Sequence, residues 1–93
     1  MPRPLRVRLD GAEWRVTWSG RMQDYGICAR GANRESRIIR LRSRQTDDEL
    51  LDTLLHEALH ALHWEVEEAV IAERATELAA LILRVFEVRR KVR

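Results

Sequence analysis

The sequence predicts an α+β domain, a small antiparallel or mixed three-stranded sheet followed by two helices, and three observations carry that expectation. Apolar and polar residues alternate in three short runs within the first 43 residues, the signature of half-buried strands. A helix-opening pattern stands at Thr46-Asp47-Asp48-Glu49. From there apolar residues recur at spacings of three and four almost to the end of the chain. Ninety-three residues make one domain, here residues 1–93, with a modest core that a metal or a second chain often reinforces.

The first strand is expected over residues 5–9, where Leu5, Val7 and Leu9 alternate with Arg6 and Arg8. Asp10-Gly11 then gives the strongest short hairpin signal. The second strand follows over 13–19, with Trp14, Val16 and Trp18 on one face, where the two tryptophans read as core. Residues 19–33 carry three glycines and few apolar side chains, so they read mostly as loop, with a short extended piece at Tyr25 to Cys28. A third strand is expected over 37–43, Ile39 and Leu41 facing in and Arg40 and Arg42 facing out. Thr46 caps a helix over 47–64, its acidic first turn suiting the positive end of the helix dipole. Leu50, Leu51, Leu54, Leu55, Ala58, Ala61 and Leu62 form its apolar stripe. Trp64-Glu65-Val66 interrupts the stripe and marks a turn. A second helix is expected over 67–90, with Ile71, Ala75, Leu78, Leu81, Ile82, Val85 and Phe86 on one face and a basic end.

Charge divides the chain at the same place. Residues 1–45 hold 11 arginines against four acids, and residues 46–93 hold six basic residues against 11 acids. The formal charge of +2 is therefore a basic sheet set against an acidic helix pair. The single cysteine, Cys28, argues against a disulfide-stapled secreted module and for a reducing compartment. With no apolar leader at the start of the sequence and no run long enough to span a membrane, the expected location is the cytoplasm.

The chemistry-bearing motif is His56-Glu57-Ala58-Leu59-His60. Residues four apart stand one turn above each other on a helix, so both imidazoles can reach one ion. Two neutral imidazoles suit zinc and leave room for a third protein ligand and a water. Glu57, about 100° round the helix from His56, can take a proton from that water, the arrangement of a metallopeptidase. His63 falls on the same side but about 10 Å along a straight helix from His56, and so reads as a rim residue. The third ligand is expected to be an acid of the second helix. Helical phase favours Glu68, which shares a stripe with Ile71 and Ala75, with Glu67 and Glu73 in reserve. Glu77, like Glu73, points away from the centre of that stripe.

The run Leu54 to Ala61 followed by Trp64-Glu65-Val66-Glu67-Glu68, together with Gly26-Ile27-Cys28 and Ile39-Arg40-Leu41-Arg42, resembles the small proteins of phages and their bacterial hosts that are classed as zinc metallopeptidases. More distantly it is similar to the SprT-like and ImmA/IrrE-like minimal gluzincins. The likeness covers about residues 12–86. It implies a minimal zincin fold in which His56, His60 and Glu68 hold Zn2+ and Glu57 is the general base. It also implies a host-cytoplasmic location if the chain is phage-encoded, and a peptide or protein substrate added along an edge strand beside the active-site helix. The strand near residues 37–43 is the expected edge, with Arg40 and Arg42 bordering the cleft. Tyr25 reads as packing against the sheet, or as a donor to the tetrahedral intermediate if its loop folds over the zinc; Cys28 reads as a buried, inert cysteine, with an inhibitory thiolate on the metal as the alternative. The alternative function is a non-catalytic, zinc-stabilised regulatory or binding module that contacts protein or nucleic acid through the arginine-rich sheet.

Overall fold

In a computed structural model, which describes residues 2–31, 33 and 35–92, the chain forms four strands and then two helices. β1 (Leu5–Leu9) and β2 (Ala12–Ser19) make the expected hairpin. Asp10 and Gly11 both take positive φ, 53° and 72°, the backbone that a two-residue primed turn requires. β4 (Ile38–Arg42) pairs parallel to β2, and β3 (Gly26–Ala29) pairs antiparallel to β4, so the sheet order is β1-β2-β4-β3.

Two expectations are corrected. The sheet has a fourth strand within the segment read mostly as loop, because four residues are too few for alternation to declare itself. Residues 37–43 are not an edge: β4 is paired on both sides, and the edge nearest the helices is β3.

One face of the sheet carries the core. Trp14 and Val16 of β2 and Ile39 and Leu41 of β4 are buried there with Ala61 of the first helix, and Trp18 and Cys28 pack around them. Helix α1 (Asp47–Leu62) lies across this face against β3, β4 and β1. Its start is the expected capping box: the Glu49 amide donates to Thr46 Oγ1 at 3.2 Å and the Thr46 amide to Glu49 Oε1 at 2.9 Å. The helix stops two residues before the expected boundary, with His63 at its C-cap.

Helix α2 (Glu68–Val92) packs on α1 and on no strand among the described residues. Ile71, Ala75 and Ala79 are buried in that contact. Of the rest of the expected apolar face Ile82 is partly buried, and Leu78, Leu81, Val85 and Phe86 are exposed. Two reasons combine: α1 has 16 residues against 25 in α2, and Leu78, Leu81 and Val85 lie to one side of the line of Ile71, Ala75 and Ala79 that meets α1. No helix of the described residues is long and apolar enough to cross a membrane.

Candidate metal centre

His56 and His60 sit one turn apart on α1, and their Nε2 atoms converge to 3.2 Å. Glu68, the first residue of α2, reaches back across the interhelical turn. Its Oε1 lies 2.6 Å from His56 Nε2 and its Oε2 lies 2.6 Å from His60 Nε2. The turn is held by the His63 amide donating to the Leu59 carbonyl and the Val66 amide to the His63 carbonyl. The Glu67 carbonyl accepts from the Val70 and Ile71 amides, which fixes where α2 begins and so where Glu68 stands.

These three residues form a group that could hold a metal ion. The donor set fits: two imidazole nitrogens on a tetrahedral zinc at ~2.0–2.1 Å stand about 3.3 Å apart, close to the spacing here. Two histidines and one glutamate are also the ligand number that leaves a coordination position for water or substrate. Glu67 and Glu73, the reserve acids, are exposed and outside the group, as is His63 at the helix end.

Glu57 occupies a different environment from the ligands. It is buried against the sheet, 8% exposed, where its neighbours His56 and His60 remain partly open. Burial pushes its carboxyl above the ordinary carboxylate range, and the adjacent imidazole charges of His56 and His60 oppose that rise. Glu68 behaves in the opposite way. Desolvation is the largest single effect and raises it, but the charges and hydrogen bonds of His56 and His60 together outweigh it and hold the carboxyl below the ordinary range. Two carboxyls of one site are therefore tuned apart, the pattern expected of a proton-transfer group beside a ligand.

Over Glu57 lies Gly26, the first residue of β3. A side chain there would come 2.6 Å from Thr53 Cγ2 and 3.0 Å from Glu57 Cγ, so only glycine lets β3 approach α1 this closely. The end of β3 is braced by Gln45. Its Nε2 donates to the carbonyls of Tyr25 and Arg42, and its Oε1 accepts from Thr53 Oγ1 at 2.7 Å. A cleft of about 990 Å3 opens between β3 and the two helices, with Glu57 and all three candidate ligands in its wall. Tyr25, half exposed under the Arg42 guanidinium, and Trp64, exposed under that of Arg30, stand at its sides. Cys28 also lines it, with its thiol pushed up to about 12 by burial and then by the Glu57 charge.

The sequence named His56, Glu57, His60 and Glu68, and the fold brings all four to one cleft. It named Tyr25 and Cys28 as well, and both line that cleft. Arg40 and Arg42 do not border it: they lie on β4 facing away from α1. Sequence reasoning missed Gln45 and the part Trp64 plays as a wall. A glycine inside a strand was the available signal for the close approach at Gly26. Comparison with protein-family models, curated proteins and solved structures gives no match to this chain.

Proposed function

We propose that the protein is a zinc-dependent peptidase that hydrolyses a peptide bond in the β3 cleft. The convergence of His56, His60 and Glu68 on one point, with Glu57 buried beside it, is the observation that carries this reading. A zinc ion held there supplies Lewis-acid chemistry, polarising a carbonyl and bringing the acidity of water toward neutrality. Glu57 takes the proton of the attacking water and passes it to the leaving amine, a role favoured by its raised carboxyl pKa.

The free edge of β3 positions the substrate. The Arg42 amide donates to the Tyr25 carbonyl, so alternation along the antiparallel pair turns the backbone groups of Tyr25 and Ile27 inward and those of Gly26 and Cys28 outward. An extended peptide added there runs along the cleft beside Glu57. The test is hydrolysis of unfolded proteins and peptides by the zinc-loaded chain. Glu57→Gln should keep the metal and lose activity by ~10²-fold or more. Unchanged turnover would remove the general base.

A second reading rests on the sheet face that α1 does not cover. Arg6, Arg8, Arg15, Arg40 and Arg42 share that face, and its strands carry one acid, Glu13, bonded to Arg6 at 3.2 Å. Arg15 Nε and Thr17 Oγ1 are shielded from water there with no hydrogen-bond partner. Such a surface suits a phosphate backbone or an acidic protein. If nucleic acid binds it, affinity should fall steeply with salt, and Arg15→Glu or Arg40→Glu should weaken it. Binding indifferent to salt contradicts that mode.

A further inference from the structure

We propose that two copies of this chain associate through the overhanging half of α2, paired antiparallel. The overhang follows from the interhelical register. Thr76 Oγ1 donates to Asp52 Oδ2 at 3.1 Å, which sets residue 52 level with residue 76. Counting back five residues puts the start of α1 level with about residue 81 of α2. The last ~12 residues of α2, roughly 18 Å of helix, therefore have no α1 beside them.

This part of α2 is not polar. Leu78, Leu81, Val85 and Val88 are 38%, 60%, 54% and 49% exposed, while Phe86 instead continues the line of Ile71, Ala75 and Ala79 past the start of α1. Leu78 and Val85 are seven apart, as are Leu81 and Val88, and the two pairs interleave at spacings of three and four. That is the a/d pattern of a helix that packs along another helix. The stripe lies about 100° round α2 from Ile71, Ala75 and Ala79, so α1 cannot cover it. Leu78, Leu81, Val85 and Val88 thus leave one unpartnered apolar stripe along the exposed side of α2.

Charge selects a second copy and its direction. Glu77, Arg84 and Lys91 run along one flank of the stripe at seven-residue intervals. In a parallel pair Arg84 meets Arg89 of the second copy, twice. In an antiparallel pair with Leu81 opposite Val85 and Leu78 opposite Val88, Glu77 meets Lys91 of the second copy, again twice. Arg84 then faces Arg84 of the second copy once, at the axis, where Glu87 of its own helix offsets it at 3.6 Å; the parallel pair has two such like-charge contacts, and Lys91 shares Glu87 at 3.2 Å within its own helix. The cleft stays open in this dimer, because Glu68 lies at the other end of α2, ~15 Å from where the stripe begins.

Sedimentation of the full chain tests this independently of any activity. The wild type should have the mass of two 10.9 kDa chains at about 100 μM and dissociate on dilution. Leu81→Glu and Val85→Glu, at sites already exposed, should each weaken association at least tenfold while zinc binding and helix content stay unchanged. Glu77→Lys and Lys91→Glu should each weaken it, and the double variant should recover it. A wild type that is monomeric at every concentration overturns the proposal and assigns the stripe to another partner. A dimer that both stripe variants leave intact overturns it too, and failure of the double variant to recover contradicts the antiparallel register.

Discussion

Gly26 has no side chain, and the space where one would stand is already filled by Thr53 and Glu57. Gly26→Ala must displace one of them, so it should lower stability by ~1–3 kcal/mol in denaturant unfolding and reduce hydrolysis by moving Glu57. Shortening the obstacle with Thr53→Ser should recover part of the stability and less of the activity; an unperturbed Gly26→Ala would mean the contact is not tight. Cys28 offers a second check on the same wall. With its pKa near 12, only ~1 in 10,000 thiols is ionised at pH 8, against roughly a tenth at the ordinary value of 9.0. Alkylation of the folded chain should be slow at pH 8 and speed up with each pH unit above it. The sign for stability follows. An acid whose pKa is raised by folding contributes stability while both states stay protonated, and that contribution is lost as pH climbs past the ordinary value of 9.0 toward about 12. His56, Glu57 and His60 were legible as residues because their spacing is the chemistry. Gln45 was not, since three hydrogen bonds from one amide to three elements depend on tertiary placement alone.

At the scale of elements, local signals and tertiary placement part company. The hairpin, both helices and the capping box were readable because each is specified within a few residues. Thr46→Ala removes one side of that box and should cost about 1 kcal/mol in thermal or denaturant unfolding, without altering metal affinity. The site lies beyond the first turn, so a cap variant that abolishes metal binding would contradict the separation. β3 was read as a short extended piece in a loop because its pairing with β4 is what makes it a strand. Its arrival at the outside of the sheet makes residues 26–29, and not 37–43, the edge beside α1. The apolar face of α2 was legible as a pattern, but which part of it α1 covers depends on the relative lengths of the two helices and on which line of that face meets α1.

The whole molecule joins a basic sheet to an acidic helix pair, with the candidate metal centre where α1 and α2 meet. The hydrophobic core is small: among the described residues eight hydrophobic residues are buried, three of them alanines. Glu68 ties the start of α2 to both histidines, so an ion held there closes the helix pair as well as building the site. Zinc present at about a hundred times its dissociation constant should add ~2.7 kcal/mol to stability. For a chain of this size that raises the unfolding midpoint by on the order of 10 °C or more, and chelation should reverse it. The measurement that reaches the central claim is a zinc titration of the metal-free wild type, Glu68→Ala and Glu67→Ala in parallel. Wild type and Glu67→Ala should bind one equivalent with matching affinity, and Glu68→Ala should bind about 100-fold more weakly or not at all. Equal affinity of Glu68→Ala and wild type would contradict the site.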